Sequence, residues 1–363
     1  MRDDPPLPEQ QPQAPGDPNP PSRTCKKRWG LILAALVLVL GLAASLLYAD
    51  YRAFLDTPLG IPAVGMVLEV KPGMSVAGLA QELQRQPGVL RSAWYLQIYA
   101  RLHRLAHRLK AGEYALAPGT TPRGLLDQII AGRVIQYTLT VVEGWTFRQL
   151  RQAVAAHPRL QQTLSELSDA ELMARLGRPG QHPEGWFLPD TYSFPKGHTD
   201  ELFLRRALDA MERQLGKAWE QRAADLPLRE PYQALTLASI VEKETALPQE
   251  RPDIAGVFTR RLRLGMPLQT DPTVIYGMGE AFDGNLRRAD LLKANPYNTY
   301  RNKGLPPTPI ALPGARALAA VVNPTPGNTL YFVASGDGGH VFSATLAEHN
   351  QAVRRYLQRL KRP

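Results

Sequence analysis

The stretch LTLASIVEKETALP, Leu235 to Pro248, begins as an apolar helix and ends with two carboxylates, Glu242 and Glu244. At about 100° per residue these side chains point in nearly opposite directions, and Glu244 falls on the bulkiest apolar face. Such a helix is buried on most sides, and desolvation favours the neutral form of a carboxyl held there. A neutral carboxylic acid near pH 7 can donate a proton, so Glu244 is our candidate general acid. The alternative is a helix end whose charged residues 242–244 simply meet solvent.

Length and composition are those of a globular protein with one large or two ordinary domains. The chain has 363 residues, of which 44% are hydrophobic and 21% are charged. Its formal net charge of +10 favours weak attraction to polyanions such as nucleic acid, anionic lipid or acidic wall polymers. No nucleic-acid-binding motif accompanies this charge, so we expect no nucleic-acid partner.

Metal and disulfide chemistry have little support in the sequence. The single cysteine, Cys25, excludes an intrachain disulfide, and no Cys/His cluster has zinc spacing. His103 and His107 are spaced as neighbours on a helix face, but the basic residues around them would repel a cation. We therefore expect no metal ion and no cofactor.

The N-terminal residues predict a membrane anchor. Residues 1–28 are rich in Pro and polar side chains, so we expect a disordered cytoplasmic tail. Residues 29–49 carry no charge and are long enough to cross the ~30 Å hydrocarbon core as a single helix. Basic residues 26–28 before this run and Asp50 after it place the N-terminus in the cytoplasm and export the rest. A cleaved signal peptide is the alternative, but the run is long for one and lacks a clear A-x-A site.

Residues 64–142 predict a small α+β subdomain. Its expected order is strand, helix, helix, strand, helix, strand, with Ser75 and Ser92 capping the first two helices. The expected bounds are Met66–Val70, 75–85, a helix opened by Ser92 with Trp94, Ile98 and Leu102 on one face, Leu109–Leu116, 120–131 and Val134–Val142. The first four elements and their Pro-Gly-x-Ser turn resemble a LysM-type carbohydrate-binding module. The alternative is a scaffold without a ligand.

Residues 143–363 predict a larger mixed α/β domain, which makes the whole chain α+β. We expect helices at 146–157, 168–176, 202–222, from 235, 254–264, 315–321 and 345–360, and a hairpin of 330–334 with 340–343.

Two kinds of segment in this domain suit a carbohydrate ligand. The segment EGWFLPDTY, Glu184 to Tyr192, carries aromatic faces that either stack on sugar rings or anchor a loop in the core. Three loops, at 265–273, 295–300 and 303–310, are dense in amide, hydroxyl and phenol groups, which bind neutral polar sugars.

Several long stretches also carry a family resemblance. They are SIVEKET (Ser239–Thr245), EGWFLPDTY (Glu184–Tyr192), LQTDPTVIYG (Leu268–Gly277), PYNTY (Pro296–Tyr300), GLPPTPI (Gly304–Ile310) and YFVASGDGGHVFS (Tyr331–Ser343). In order and spacing they resemble the endolytic murein transglycosylase family, which is also called MltG-type or YceG-like. The resemblance extends over about Val64 to Leu360.

The resemblance implies a single-pass enzyme of the bacterial inner membrane, with its LysM-like subdomain and catalytic domain in the periplasm. It implies cleavage within nascent peptidoglycan strands, between N-acetylmuramic acid and N-acetylglucosamine. The expected products carry 1,6-anhydromuramic ends, and their release terminates glycan elongation. Peptidoglycan synthases of elongation or division are the implied partners. The family's catalytic glutamate aligns with Glu244, in agreement with the helix periodicity.

The implied reaction is not hydrolytic and uses one carboxyl twice. Glu244 gives its proton to the glycosidic oxygen and then takes the proton of the muramic C6 hydroxyl, which attacks C1. Ordinary glycosidases need two carboxylates, so the lack of an obvious partner favours this reaction. We assign sugar binding to these residues: Gln269, Asp271, Tyr297, Asn298, Tyr300 and Glu242.

Two other functions remain open from the sequence. One is a true hydrolase, with Glu244 as the acid and Asp271 or Asp190 holding a water. The other is a non-catalytic, membrane-anchored peptidoglycan-binding scaffold that recruits synthases through its LysM-like part.

Overall fold

The computed structural model describes residues 23–360, with side chains from Arg28 onward, and is a mixture of helices and short antiparallel strand pairs. The chain divides into two compact units after Arg133. Most of the predicted disordered tail, and the side chain of Cys25, lie outside the described residues.

Over its described residues, 23–133, the first unit contains one strand pair and four helices. Its elements are α1 (Arg23–Asp56), β1 (Met66–Val70), α2 (Val76–Gln84), α3 (Ala93–Leu102), β2 (Gly112–Leu116) and α4 (Pro122–Ala131). Strand β1 pairs antiparallel with β2 in a register that sets Met66 opposite Leu116. Side-chain oxygens of Ser75, Ser92 and Thr121 accept hydrogen bonds from the first turns of α2, α3 and α4, because such caps satisfy free backbone N–H groups.

Helix α1 is long and apolar enough to cross a membrane over Arg28–Asp56, and its residues 28–50 are exposed. It begins at Arg23, so the part of the predicted tail from residue 23 to 28 is helical rather than disordered. It also continues past the predicted end at residue 49. The reason is packing, since Phe54 and Leu55 are buried within the first unit.

Helix α3 buries a different face from the one that its largest apolar side chains define. The buried residues are Leu96, Tyr99 and Ala100. Trp94 is 64% exposed and Leu102 is 70% exposed, so the shared face of these two residues points away from the core of this unit.

The second unit contains the larger core. Its elements are β3 (Tyr137–Thr140), α5 (Phe147–Ala156), α6 (Asp169–Arg175), β4 (Thr191–Phe194), α7 (Asp200–Glu220), α8 (Pro231–Glu244), α9 (Arg251–Arg263), α10 (Asp271–Met278), α11 (Arg288–Leu292), α12 (Ala315–Val322), β5 (Tyr331–Ala334), β6 (His340–Ser343) and α13 (Leu346–Leu360). Strand β3 pairs with β4, and β5 pairs with β6.

The pairing of β3 corrects the predicted boundary between the domains. We expected residues 134–142 to complete the first subdomain. Instead β3 pairs antiparallel with β4, with Tyr137 opposite Phe194, so this strand belongs to the second unit.

Helix α8 lies at the centre of the second unit and packs against α7, α9, α10 and α12. Every residue from Ala234 to Glu242 is buried, which confirms the prediction that this helix is buried on most sides. The Pro231 ring occupies the first turn of the helix, where no intrahelical N–H bond is lost.

The EGWFLPDTY segment is part of this core. Trp186, Phe187 and Tyr192 are at most 6% exposed. Phe187 stacks on Phe147 with a centroid distance of 5.2 Å, and Trp186 stacks on Tyr232 at 5.9 Å. These aromatic side chains therefore anchor the segment, and the prediction that they stack on sugar is wrong because their faces are already covered by protein.

Candidate active site

Glu244 is the last residue of α8, and the chain becomes extended at Thr245. Its side chain is half-buried, and the Oε1 atom accepts a hydrogen bond from the hydroxyl of Thr270. A carboxyl at this position also faces the negative end of the helix dipole, which disfavours its charged form. The fold thus places one carboxyl at the point where a buried helix reaches the surface.

The pKa of the Glu244 carboxyl is raised to about 7. Burial is the largest cause, and the negative charge of Asp271 acts in the same direction. The Thr270 hydrogen bond and the charge of His340 oppose the shift, since each favours the carboxylate. This agrees with the prediction of a desolvated acid that is partly protonated near neutral pH.

A cavity of about 420 Å³ opens beside Glu244. Its walls come from α9, from the loop before α10, from the start of α10, from the 295–300 loop, from β5 and from α13. The lining residues are Glu244, Arg261, Leu268, Gln269, Thr270, Asp271, Tyr300, Tyr331, Phe332, Val333, Leu346 and His349. The structure thus brings together four of the predicted site residues, Glu244, Gln269, Asp271 and Tyr300.

Asp271 and Tyr300 form a hydrogen-bonded pair in this cavity, with the phenol donating to the Asp271 carboxylate at 2.6 Å. Asp271 is at the start of α10, and Pro272 follows it in the first turn. The predicted loop 265–273 is therefore shorter than expected, because the Asp-Pro pair opens a helix. Burial raises the pKa of Tyr300, as do its hydrogen bond to Asp271 and the charges of Asp271 and Glu244, so the phenol stays a donor.

Gln269 holds a backbone conformation that is uncommon for a residue with a side chain. Its φ is +54°, and its amide N–H donates to the Thr299 carbonyl at 3.1 Å. The buried Arg261 supports this turn by donating to the Leu268 carbonyl at 3.0 Å and to Gln269 Oε1 at 3.1 Å. Strain of this kind persists only where surrounding contacts enforce it, and it is concentrated at functional sites.

Glu242 and Asn298, both assigned to sugar binding from the sequence, have their polar groups bonded to protein. Glu242 is buried, with one oxygen 2.5 Å from Arg251 Nη2 and the other accepting the Gly314 N–H at 2.9 Å. Asn298 is 1% exposed; its amide NH2 donates to the carbonyls of Leu291 and Lys293, and its amide oxygen accepts from the Tyr300 N–H. These contacts hold the last turn of α8 and the 295–300 loop in place.

Tyr297 does not line the cavity beside Glu244. Its hydroxyl is 2.8 Å from that of Thr308, and its ring packs edge-on against Tyr276 at 4.9 Å. Asp190, named as a water-holding residue for a hydrolase, precedes β4 and does not line this cavity either.

Two further cavities follow along the C-terminal end of α8. One of about 380 Å³ is lined by Glu143, Gly144, Glu242, Lys243, Glu244, Thr245, Ala246 and Arg251. The other, of about 820 Å³, includes Lys243, Glu184, Tyr276 and Phe282 in its walls. Glu244 lines the 420 Å³ and the 380 Å³ cavities, and Lys243 lines the 380 Å³ and the 820 Å³ cavities, so the three are neighbours around the end of α8. We call this row of neighbouring cavities the groove.

Another buried carboxyl, that of Glu184, was not predicted as a site residue. It is 3% exposed, and burial raises its pKa to about 7. One oxygen accepts the Phe147 N–H at 2.8 Å and the other accepts the Tyr276 hydroxyl at 3.0 Å. Glu184 is the first residue of the EGWFLPDTY segment, whose sequence was interpreted through its aromatic residues and not through this carboxyl.

A chain of polar contacts fixes the residues that follow Glu244. Glu250 accepts hydrogen bonds from the Thr245 hydroxyl at 3.2 Å and from His340 Nδ1 and the His340 N–H, both at 2.7 Å. Burial opposes ionisation of Glu250, but the bonds from His340 outweigh it and keep the pKa below its ordinary value. Residues 23–360 contain no group of three or more His, Cys, Asp or Glu side chains that could hold a metal ion.

Known proteins of one family match this chain. The YceG-like family matches residues 68–355. The endolytic murein transglycosylase of Bacillus subtilis is 32% identical, over 80% of this chain and 84% of that protein. The protein of that name from Streptococcus pneumoniae serotype 2 is 29% identical, over 85% of this chain and 62% of that protein. A crystal structure of a YceG-like protein from Listeria monocytogenes superposes with a TM-score of 0.52 and 29% identity, over 79% of this chain and 98% of the crystallised one. The chain therefore belongs to the YceG-like family, as its sequence motifs indicated.

Proposed function

We propose that this protein is an endolytic murein transglycosylase, the activity for which its curated relatives are named. It cleaves the bond between N-acetylmuramic acid and N-acetylglucosamine inside nascent strands and leaves 1,6-anhydromuramic ends. The observation that carries the proposal is the Glu244 carboxyl, which has a pKa of about 7 and lines two neighbouring cavities. Cavities on two sides of the acid suit endolytic cleavage, because the strand extends beyond the reacting bond on both sides.

The first step is proton donation by Glu244 to the glycosidic oxygen as the bond from that oxygen to C1 breaks. A carboxyl with a pKa of about 7 is roughly half protonated at neutral pH, so both forms that the reaction needs are accessible. Positive charge develops on the sugar ring in this step. The nearby carboxylate of Asp271 favours that charge electrostatically and also favours the neutral form of Glu244 beforehand.

In the second step the Glu244 carboxylate takes the proton from the muramic C6 hydroxyl, and that oxygen forms the new bond to C1. The hydroxyl of Thr270, which donates to Oε1, stabilises the carboxylate between the two steps. Glu244 ends the cycle protonated, so no co-reactant is consumed.

Gln269, Asp271 and Tyr300 are our assignment for contacts with the sugar at this step. All three line the cavity beside Glu244 and carry amide, carboxylate and phenol groups that bind hydroxyl and acetamido groups. Tyr297 acts indirectly by packing against Tyr276.

The membrane topology belongs to the same proposal. Helix α1 crosses the bacterial inner membrane once, with the N-terminus in the cytoplasm and with the second unit and the part of the first unit after α1 in the periplasm. The exposed apolar run and the basic residues before it support this orientation. The strand–helix–helix–strand order of β1, α2, α3 and β2 supports a LysM-like unit that holds the glycan strand, with peptidoglycan synthases as partners.

A true hydrolase is the second candidate function, since Asp271 shares the cavity with Glu244 and could hold a water. Mass spectrometry of strands digested by the full chain separates the two. We expect 1,6-anhydromuramic ends, and reducing ends would instead support hydrolysis. Glu244→Gln should give neither, whereas the matched control Glu166→Gln, at an exposed carboxyl outside the groove, should digest strands like the parent. If Glu244→Gln still shortens strands, the scaffold interpretation gains.

A further inference from the structure

Residues 91–110, which we call the α3 surface, combine positive charge with exposed apolar side chains. The segment RSAWYLQIYARLHRLAHRLK contains five Lys and Arg residues and no Asp or Glu. Trp94 is 64% exposed and Leu102 is 70% exposed, and both follow the same helix face. Arg101, Arg104 and Arg108 are also exposed. The catalytic proposal makes no use of this surface.

The α3 surface is held at the end of the apolar run of α1. Asp50 is the first charged residue after that run, and its carboxylate accepts hydrogen bonds from Arg91 Nη2 at 2.7 Å and from the Tyr95 hydroxyl at 2.8 Å. The rings of Tyr51 and Phe54 pack against Tyr95 at 5.7 and 5.5 Å. The first turn of α3 is therefore fixed against the end of the apolar run of α1.

We propose that the α3 surface binds the anionic phosphate headgroups of the membrane that α1 crosses, with Trp94 and Leu102 inserted between the lipids. This inference rests on the proposed membrane-spanning role of α1. Tryptophan prefers the membrane–water interface, and exposed arginines beside an apolar helix face are typical of interfacial helices. The negative potential of an anionic bilayer attracts such basic segments within a Debye length.

An acidic wall polymer is the competing partner for the positive charge. It would be bound by the arginines alone and gives no reason to expose Trp94 and Leu102. The lipid surface accounts for both the charged and the apolar side chains, and it continues the interface that α1 already occupies.

The test uses the full chain in vesicles and places a fluorophore at single positions. Cys25→Ser removes the only cysteine, and Trp94→Cys, Leu102→Cys, Leu38→Cys or Gln81→Cys then provides one labelling site. The vesicles contain phosphatidylcholine with or without phosphatidylglycerol, and a lipid-borne nitroxide quenches any fluorophore in contact with the bilayer. Leu38 reports the span of α1, and Gln81, exposed on α2, is the matched control.

We expect strong quenching at position 38 in both lipids. Quenching at 94 and 102 should be at least threefold greater than at 81, and it should weaken without phosphatidylglycerol. Quenching at 38 combined with none at 94 or 102 would overturn the inference while leaving the anchor intact. Absence of quenching at 38 would refute the anchor itself, and with it this inference. Equal quenching in both lipids would refute the role of anionic headgroups.

Charge reversal supplies an independent arm. Arg101→Glu with Arg104→Glu should reduce quenching of the fluorophore at position 94 at least twofold in anionic vesicles. The matched control, Arg85→Glu with Arg133→Glu, should not. If the first pair leaves quenching unchanged but abolishes co-sedimentation of the chain with insoluble polyphosphate, the surface serves an anionic polymer and the lipid proposal fails.

Discussion

Two glutamates of the second unit, the half-buried Glu244 and the fully buried Glu184, share a pKa of about 7 and the same main cause, desolvation. They differ in what their oxygens contact. Both oxygens of Glu184 accept hydrogen bonds from Phe147 and Tyr276, and the residue is 3% exposed. Glu244 accepts one side-chain hydrogen bond, from Thr270, and lies at the meeting point of two cavities.

This difference shows that a raised pKa alone does not identify a catalytic acid. Desolvation raises the pKa of any buried carboxyl, whether it organises the core or reacts with substrate. Glu184 also lines a cavity, but protein donors engage both of its oxygens, so an oxygen left available to the substrate is the additional requirement.

The largest expected effect is on turnover. Glu244→Gln should lower the rate of strand cleavage by about 10³-fold, since general acid–base catalysis typically contributes 10²–10⁴-fold. Glu184→Gln should stay within about tenfold of the parent, because its amide oxygen can accept from the Phe147 N–H while its NH2 group donates to the Tyr276 oxygen. Formation of anhydromuramic ends measures both. A comparable loss in the two variants would remove the distinction drawn between these glutamates.

The pH dependence of the cleavage rate should also distinguish Glu244 from Glu184. The parent needs protonated Glu244, so its rate should fall by about tenfold per pH unit above the pKa, which is about 7. Asp271→Asn removes a charge that raises this pKa, so the decline should begin at a lower pH. Asp225→Asn, at an exposed carboxylate outside the groove, is the control. A profile that Asp271→Asn leaves unmoved would contradict the proposed coupling.

The free energy of unfolding should depend on pH through the ionisation of Glu184. Its pKa rises from 4.5 to about 7 on folding, so the folded state binds more protons than the unfolded state between these pH values. The contribution is complete below the unfolded pKa and is lost as the pH rises through the folded pKa. Ionising this carboxyl should therefore cost up to about 3 kcal/mol at pH 8.

Glu184→Gln should remove that part of the pH dependence. Chemical denaturation between pH 5 and pH 8 measures it, and Glu166→Gln, at an exposed carboxyl, provides the comparison. Parallel stability curves for Glu184→Gln and the parent would show that Glu184 does not titrate as described.

The smallest expected effect concerns Thr270. Its hydrogen bond lowers the pKa of Glu244, so Thr270→Val should move the alkaline decline to higher pH, opposite in direction to Asp271→Asn. The rate at the optimum should fall by less than about tenfold, since the loss of one hydrogen bond costs about 1 kcal/mol. A pH–rate profile tests both statements, and a shift to lower pH would contradict them.

Local features of the fold were predictable from the sequence because they depend on neighbouring residues. Ser75 and Ser92 cap their helices as predicted, and the apolar run before Glu242 is buried. Segments whose environment depends on distant partners were not predictable. Strand β3 finds its partner at Thr191–Phe194, far along the chain, so its assignment to the first subdomain was wrong.

The site shows the same division. Periodicity placed Glu244 correctly as a desolvated acid, since burial of α8 follows from its own side chains. The partners of Glu242, Arg251 and Gly314, approach from α9 and from the segment before α12, and no local pattern reveals them. Thr270 belongs to the motif Leu268–Gly277, which contains more than one hydroxyl side chain. Only the folded loop shows that the hydroxyl of Thr270 is the one that reaches Glu244.

The contacts of Glu242 with Arg251 and Gly314 have a consequence for the orientation of the Glu244 carboxyl. Arg251 and the Gly314 N–H bind the two oxygens of Glu242 in the final turn of α8. The helix end therefore cannot unwind or rotate without breaking a buried ion pair. The direction of the Glu244 carboxyl is thus set during folding, before any strand arrives, and no reorganisation is required at the moment of proton transfer. A substitution of Arg251 would therefore lower the cleavage rate, as the loss of a catalytic group does, although it alters no reacting group.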